Sequence, residues 1–424
     1  MVRVYFEVHG CAMSRADAEI MMALLREAGH EVVPSPEESD VTVLVTCNVK
    51  KPTEDRMVFL ARKLSSSRPL VAAGCMVVTQ PYLLRPYASA MVGPHSLDSI
   101  ARAVRAAASG RRFVDASPRP LPKASMPRVR TSRVTAIVPI AEGCLGSCTY
   151  CIVRLARGRL RSFPPGEVVS AVRRALSDGA VEIFLTAQDT GVYGRDIGSS
   201  LPGLLRAVSS IGGSFRVRVG MATPSSVAGI LRNLLEAYSD ERVYKFFHLP
   251  VQSGSDSVLR DMGRPYTASQ FRRLVREIRS AYEDSTLATD VIVGFPTEGE
   301  EDFEATLRLL EDVKPDVVNL SRYAPRPGTP AWGLGSLPPE VVKRRSREAH
   351  ELITQIKLER NERYVGREAR ALVVEEGRGA RPQARTDSYR PVVVEGDVKL
   401  GRFYEVLIEE ARSHYLVGRA IREL

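Results

Sequence analysis

Six cysteines fall into two sets of three, and each set follows strand-like segments of the chain. The first set is spread over the N-terminal region and consists of Cys11, Cys47 and Cys75. The second set is compact, has the spacing C-x3-C-x2-C just after the strand-like segment Val134–Ile140, and consists of Cys144, Cys148 and Cys151. Ligands of open α/β sheets lie beyond the carboxyl ends of the strands. The sequence therefore predicts two sites of three thiols, each at the edge of a sheet.

Strand-like and helix-like segments alternate through residues 1–110, which is typical of a parallel, doubly wound sheet. The predicted strands are Val2–Val8, Val41–Thr46, Leu70–Ala73 and Ala90–Val92. The predicted helices are Ser14–Ala28, Thr53–Leu64 and Leu97–Ala108. Because each cysteine of the first set closely follows a strand, all three are expected to meet at one edge of this sheet.

The same alternation returns over residues 134–365, where six strand–helix units predict a full or partial β/α barrel. The predicted strands are Val134–Ile140, Val181–Ala187, Phe215–Met221, Tyr244–Pro250, Thr289–Gly294 and Val317–Tyr323. Functional residues of such barrels lie at the carboxyl ends of the strands. Polar residues at these ends are therefore candidate ligand contacts.

Two further segments, residues 111–133 and 366–424, differ in composition from the regions of alternating strands and helices. Residues 111–133 combine four prolines with seven Lys or Arg residues and one acidic residue, Asp115, and predict a basic linker that buries little apolar surface. Residues 366–424 contain short alternating apolar runs separated by glycines, and predict a small all-β barrel.

The spacing of the second cysteine set favours an iron–sulfur cluster over zinc. Structural zinc usually takes four protein ligands, but no fourth cysteine lies near, and the closest histidines in sequence are His95 and His248. Three thiolates suit a four-iron cluster that has one iron open to another ligand. Structural zinc stays open as the alternative.

The stretch Glu142-Gly-Cys144-Leu-Gly-Ser-Cys148-Thr-Tyr-Cys151 resembles the motif of the radical S-adenosylmethionine (SAM) superfamily. The resemblance implies a [4Fe-4S] cluster at these three cysteines, with the amine and carboxylate of SAM on the open iron. Electron transfer to SAM then releases a 5′-deoxyadenosyl radical, while the protein positions the cofactor and excludes water. Tyr150 matches the aromatic residue that usually precedes the last cysteine.

The flanks of Cys11, Cys47 and Cys75 resemble the N-terminal domain of methylthiotransferases, in which three cysteines bind a second four-iron cluster. Inert packing is the alternative for buried cysteines. The resemblance continues in further stretches at Leu185–Gly194, His248–Ser255, Thr289–Pro296 and Arg322–Pro330. Residues 366–424 look like a TRAM domain, a small RNA-binding barrel. The resemblance thus covers nearly the whole chain and implies two 4Fe-4S clusters and SAM as cofactors.

The stretches Ala141–Cys148 and Gln188–Gly198 look most like the archaeal and eukaryotic branch of the methylthiotransferases. That likeness implies methylthiolation of C2 of N6-threonylcarbamoyladenosine at position 37 of tRNA. Another tRNA adenosine or a ribosomal protein is the alternative within the family. A non-catalytic RNA-binding protein whose cysteines hold structural metal is the alternative outside it.

Candidate SAM contacts are the polar residues at the ends of the predicted barrel strands. They are Gln188, Asp189, Thr223, Gln252, Ser253, Asp290 and Arg322. Capping of helices or bracing of the barrel is the alternative role for each of them. No residue is assigned a catalytic role, and His248 is interpreted as a core histidine.

A formal net charge of +10 predicts a polyanionic partner, which the resemblance implies is the anticodon arm of tRNA. The basic residues concentrate in residues 111–133 and 152–174, so we expect Arg128, Arg130 and Arg133 to contact the RNA backbone. No apolar run is long enough to span a bilayer, and the N-terminus lacks the features of a signal peptide. A cytoplasmic protein without a membrane partner is therefore expected. The electron donor and the sulfur source are not predicted.

Overall fold

The computed structural model describes residues 1–377 and 381–424. The N-terminal sheet is built from six strands: β1 (Arg3–Val8), β2 (Glu31–Val33), β3 (Val41–Thr46), β4 (Leu70–Gly74), β5 (Ala90–Val92) and β6 (Phe113–Asp115). All of them are parallel, in the order β2-β1-β3-β4-β5-β6. The helices of this region are α1 (Ala12–Glu27), α2 (Lys51–Ser65), α3 (Cys75–Thr79), α4 (Pro81–Leu84) and α5 (Ile100–Ala108).

Helices cover both faces of this sheet, so the predicted doubly wound architecture is confirmed. Every residue of β3 is buried, as expected of a strand that packs on both faces. Val43 and Val45 join the apolar cluster under α1 and α5, whereas Leu44, between them, joins the cluster under α2. The alternation of side chains along the strand therefore fixes which helix each residue meets.

The central region forms a partial β/α barrel, as predicted. Its strands are β7 (Thr135–Pro139), β8 (Ala141–Glu142), β9 (Arg161–Ser162), β10 (Glu182–Thr186), β11 (Arg216–Val219), β12 (Phe246–His248), β13 (Thr286–Val293) and β14 (Val317–Arg322). Parallel pairing joins β11-β10-β7 and β12-β13-β14, and β11 contacts β12. The short strands β8 and β9 pair outside the barrel and frame the second cysteine set.

Helices alternate with the barrel strands along the chain. They are α6 (Val153–Arg157), α7 (Pro165–Ser177), α8 (Leu201–Ser209), α9 (Pro224–Ala228), α10 (Leu231–Tyr238), α11 (Asp256–Asp261), α12 (Ala268–Ala281), α13 (Glu300–Val313) and α14 (Pro339–Glu362). One large apolar cluster lies between these helices and the strands. The rigid strands therefore hold the loops at their carboxyl ends in place, as in other β/α barrels.

The C-terminal region is a closed five-stranded barrel, as predicted. Its strands are β15 (Glu368–Glu375), β16 (Gln383–Thr386), β17 (Pro391–Glu395), β18 (Phe403–Ala411) and β19 (Leu416–Glu423). They close in the order β15-β16-β17-β19-β18. Strand β16 was not predicted, because its four residues, Gln-Ala-Arg-Thr, carry no apolar alternation.

The turn between β16 and β17 docks the C-terminal barrel onto the central one. Tyr389 in this turn has a φ of 65° and packs against Phe184, Tyr244 and Phe246, with ring centroids 6.0, 5.0 and 4.9 Å away. The guanidinium of Arg218 lies over the Tyr389 ring. The small barrel is therefore fixed to the larger one by aromatic contacts around Tyr389.

Part of the segment expected to be a linker is built into the fold, although most of its residues are exposed or half-buried. Strand β6 lies in residues 111–133 and completes the N-terminal sheet, so the sheet extends beyond residue 110. Lys123 is fully buried, and its ammonium group contacts Asp17 and Glu142 at 2.9 and 2.7 Å. Proline and charge content predicted solvation because sequence alone does not reveal these distant carboxylates.

None of the helices in the described part of the chain combines the length and the apolar character that crossing a bilayer requires.

Candidate functional site

The first three cysteines lie side by side at the carboxyl edge of the N-terminal sheet. Cys47 directly follows β3, Cys75 directly follows β4, and Cys11 comes three residues after β1. Because β1, β3 and β4 are neighbours, their carboxyl ends bring the three thiols to one edge, as predicted. Burial raises the pKa of Cys47 to about 11. Burial also raises the pKa of Cys75, against the opposing charge of Arg157.

A cavity of about 350 Å³ opens beside Cys11 and Cys47. Lys50 and Arg56 line it together with Gly10, so its walls carry positive charge next to the thiols. Gly10 has a φ of +120°, and a Cβ atom there would lie 2.7 Å from the Cβ of Cys47. The glycine thus keeps the space between the cysteines open.

The second set lies in the loop between β8 and α6, at the carboxyl end of the barrel. The amide of Gly146 donates to Cys144 Sγ at 3.2 Å, and Arg264 Nη1 donates to Cys148 Sγ at 3.1 Å. A Cβ atom on Gly146 would lie 3.4 Å from Cys144 Sγ. Burial raises the pKa of Cys144 to about 11 and also raises that of Cys151. The loop therefore gathers three partly covered sulfurs with two donors aimed at them.

The two cysteine sets border helices that pack against each other across the domain interface. Helix α3, which begins at Cys75, packs against α6, which begins two residues after Cys151. Arg157 in α6 donates its Nε hydrogen to Cys75 Sγ at 3.4 Å. Both sites therefore lie next to the contact between α3 and α6.

Several of the predicted strand-end residues are engaged with the protein itself. Asp189 is buried and accepts hydrogen bonds from Thr223 Oγ1 at 2.6 Å and Ser226 Oγ at 2.9 Å. Gln188 Oε1 accepts the amide of Gly143 at 2.6 Å, which braces the glycine before Cys144. Ser253 is fully buried, and its hydroxyl lies 3.2 Å from that of Thr306. These contacts match the bracing alternative as well as a role beside a ligand.

The remaining strand-end residues are placed differently. Asp290 Oδ1 accepts hydrogen bonds from His248 Nε2 at 2.9 Å and Asn319 Nδ2 at 2.7 Å. Burial would raise the pKa of Asp290, but the His248 hydrogen bond and charge outweigh it and lower that pKa. The side chains of Gln252 and Arg322 make no hydrogen bond within the described residues. His248, interpreted as a core histidine, instead lies in a polar row across β12, β13 and β14.

In the part of the chain that the structure describes, no three His, Cys, Asp or Glu side chains lie close enough to share one metal ion. Ligands of a four-iron cluster each bind a different iron, so three such thiols need not converge on a single point.

Comparisons with known proteins agree with this architecture. The Radical SAM superfamily matches residues 138–310, the uncharacterized protein family UPF0004 matches residues 3–91, and the TRAM domain matches residues 362–421. A probable threonylcarbamoyladenosine tRNA methylthiotransferase of Pyrococcus horikoshii is 44% identical, over 99% of this chain and 100% of that one. The chain belongs to the threonylcarbamoyladenosine tRNA methylthiotransferase family.

Family members from distant organisms share this full-length similarity. The probable methylthiotransferase of Methanothermobacter thermautotrophicus is 44% identical, over 98% of this chain and 99% of that one. The human threonylcarbamoyladenosine tRNA methylthiotransferase is 31% identical, over 99% of this chain and 74% of the human one. The chain is therefore an enzyme of the methylthiotransferase family, most similar to its archaeal and eukaryotic members, as predicted.

A solved structure shows the same fold at low sequence identity. The radical S-adenosylmethionine methyltransferase TsrM from Kitasatospora setae aligns with a TM-score of 0.58 and 15% identity, over 78% of this chain and 75% of that one. Membership of the Radical SAM superfamily supports an iron–sulfur cluster and SAM as cofactors of this chain.

Two arginines that contact cysteine sulfurs were not predicted from the sequence. Arg157 and Arg264 are separated from their cysteine partners by 82 and 116 residues. Arg157 follows the second motif but contacts the first set, so the motif gave no sign of its partner.

Proposed function

We propose that this enzyme methylthiolates C2 of N6-threonylcarbamoyladenosine at position 37 of tRNA, with two 4Fe-4S clusters and SAM. The observation that carries the proposal is the pair of three-cysteine sets, which border the packed helices α3 and α6. The names of the relatives support the substrate. A different tRNA adenosine or a ribosomal protein is the alternative substrate.

The residues around the second set fit a cluster with one open iron. Three thiols gather in one loop, and the side chains of Cys144, Cys148 and Cys151 all keep partial exposure. The donors from Gly146 and Arg264 match the hydrogen bonds that stabilise cluster sulfurs in proteins. Bound there, the cluster and SAM would supply a radical that abstracts hydrogen from the unactivated C–H bond at C2.

The first cysteine set also fits a four-iron cluster. Bound there, that cluster would handle the sulfur that is transferred. The cavity beside Cys11 and Cys47 is roomy because residue 10 is glycine, and it is lined by the cations Lys50 and Arg56. Positive charge suits three thiolates and an anionic sulfur ligand. Arg157 Nη2 is buried without a hydrogen-bond partner among the described residues, which leaves a donor beside Cys75 for a further sulfur acceptor.

Contacts to SAM are proposed for the residues at the barrel strand ends. Gln252 and Arg322 have side chains free of hydrogen bonds within the described residues, so a ligand at the barrel mouth can use them directly. Gln188, Asp189, Thr223, Ser253 and Asp290 are proposed to hold the mouth in shape and to offer their remaining polar atoms. The positive φ of Gln252, 75°, is a strained backbone conformation of the kind that often marks a ligand site.

The tRNA is proposed to lie with its anticodon arm at the domain interface, against the exposed basic residues and the TRAM barrel. Arg128 and Arg130 are no longer proposed to contact phosphate, because both guanidinium groups donate to backbone carbonyls. Arg128 Nη1 donates to the carbonyl of Ile137 at 3.2 Å, and Arg130 Nη1 donates to that of Arg133 at 3.1 Å. Arg133 is 86% exposed at its side chain, and its ion pair with Glu376 at 3.8 Å is exposed too, so phosphate can compete for it.

Gly10 gives a test of the cluster that is proposed at Cys11, Cys47 and Cys75. We expect Gly10→Ala to lower the iron content by about half, because the new methyl group meets Cys47 and a four-iron cluster is lost. The matched control is Gly29→Ala in the same sheet domain. Gly29 also has a positive φ, +78°, but a Cβ there meets nothing within 4 Å. Gly29→Ala carries backbone strain of about 1–2 kcal/mol without a new contact, so iron loss confined to Gly10→Ala shows that strain of this size in the domain is not what removes the cluster.

The substrate is tested with tRNA from cells that lack the threonylcarbamoyl modification. We expect methylthio product from modified tRNA and at least a hundredfold less from unmodified tRNA, since a site built around the added polar group leaves its own polar groups unpaired without it (about 2.8 kcal/mol or more). The measurement is mass spectrometry of tRNA nucleosides after reaction. Equal turnover on both tRNAs, or turnover only on a ribosomal protein, would refute the proposal.

A further inference from the structure

Arg157 is a fully buried arginine at the junction of the two cysteine sets. Its side chain is 1% exposed. Nε donates to Cys75 Sγ at 3.4 Å, and Nη1 lies 2.7 Å from a carboxylate oxygen of Asp17 and 2.7 Å from one of Glu142. One guanidinium therefore contacts a thiol and two acids.

Each of these contacts is made by a cysteine or by a residue on an element that borders a cysteine. Asp17 lies in α1, which begins directly after Cys11. Glu142 precedes Cys144 by two residues, and Cys75 is itself a member of the first set. Arg157 is thus joined through single contacts to both cysteine sets.

Ion pairing alone does not account for the contact between Arg157 and the sulfur of Cys75. Lys123 contacts the same two carboxylates, from Asp17 and Glu142, at 2.9 and 2.7 Å. Two buried cations thus balance two buried anions, which is the condition under which such groups are tolerated in an interior. The balance of charge requires neither the hydrogen bond from Nε to Cys75 nor the Nη2 group, which has no partner among the described residues.

We propose that Arg157 is a positioning residue that raises the reduction potential of the cluster at Cys11, Cys47 and Cys75 and fixes that cluster relative to the radical site. The proposal rests on the second cluster of the proposed function. A hydrogen bond to a cluster sulfur stabilises the reduced state, which carries one more negative charge, and so raises the potential. Arginine can do this because the N–H groups of its planar guanidinium can donate to a sulfur and to carboxylates at the same time.

The first test measures the midpoint potential of the N-terminal cluster by a redox titration followed by electron paramagnetic resonance. The full chain with Cys144, Cys148 and Cys151 all changed to Ala isolates that cluster. In this background we expect Arg157→Gln and Arg157→Lys to shift the potential to more negative values, with the smaller shift for Lys, which keeps the charge. The matched control is Arg154→Gln, one turn earlier on α6 and exposed, with no expected shift.

The second test detects the contact itself, before any change is made at Arg157. In the same background, protein with 15N-labelled arginine is examined by pulsed paramagnetic resonance of the reduced cluster. We expect a 15N coupling that disappears in Arg157→Lys and persists in Arg154→Gln. Absence of the coupling before any change at Arg157 would overturn the inference, as would an unshifted potential in a loaded Arg157→Lys protein. A background protein that binds no iron at all would instead refute the second cluster of the proposed function.

Discussion

Cys148→Ala is expected to abolish the formation of 5′-deoxyadenosine from SAM, whereas Cys47→Ala is expected to retain it. Both changes remove one thiol from a set of three, and both are expected to lower the iron content from about eight to about four per chain. Cys148 belongs to the loop at the barrel mouth, where Arg264 contacts its sulfur at 3.1 Å. Cys47 lies at the other site, at the end of β3.

The comparison works because the two variants match in lost iron but differ in the site that loses it. The measurement is the yield of 5′-deoxyadenosine after reduction without tRNA, together with iron analysis of the same sample. Both variants are expected to form no methylthio product on tRNA. Normal 5′-deoxyadenosine from Cys148→Ala would remove the radical role from the second set. Loss of it in Cys47→Ala would mean that the sites are not independent.

The placement of the cysteines was predictable because it depends on local pattern. Cys47 and Cys75 follow continuous apolar runs, Val41-Thr-Val-Leu-Val-Thr46 and Leu70-Val-Ala-Ala73, and such runs identify buried parallel strands. The edge at which parallel strands end is then shared, so the meeting of the thiols follows from topology. The short strand β6 was missed because three residues carry too little periodicity to distinguish them from a linker.

The polar contacts of the site were not predictable, because they join residues that are distant in sequence. Asp189 and Thr223 were both candidate SAM contacts, but nothing in their spacing indicated that they bond each other at 2.6 Å across 34 residues. Arg128 was expected to meet phosphate, but it donates to the carbonyl of Ile137. A count of charges shows where basic residues concentrate, but their partners depend on the tertiary packing.

Asp316→Asn is expected to loosen the attachment of the TRAM barrel more than any exposed substitution. Asp316 is fully buried at its side chain and accepts hydrogen bonds from Arg360 of α14, at 2.7 Å, and from Arg390 of the TRAM barrel. Arg279 of α12 lies 3.8 Å away. Asparagine would leave three arginines without their common counter-ion, and removal of one partner from a buried ion pair costs about 3–5 kcal/mol.

The effect is read from hydrogen exchange of amides in β14 and in the docking turn around Tyr389. We expect the local opening equilibrium at pH 7 to rise by about a hundredfold or more in Asp316→Asn. The matched control is Asp312→Asn, whose carboxylate is 61% exposed and pairs with Arg272 at 2.6 Å. An exposed pair contributes about 0–1 kcal/mol, so the control is expected to change opening less than about fivefold.

The same carboxylate predicts a pH dependence with a defined sign. Burial alone would raise the pKa of Asp316, but the charges of Arg390 and Arg360 outweigh it and lower that pKa below its usual value of about 4. A lowered folded-state pKa means that the stabilisation is complete above the unfolded pKa and is lost as the pH falls through the folded one. The difference in the midpoint of thermal unfolding between the unsubstituted protein and Asp316→Asn is therefore expected to be constant near pH 7 and to shrink only below about pH 4. A difference that shrinks between pH 7 and pH 5, where the carboxylate stays charged, would contradict this account of the contact.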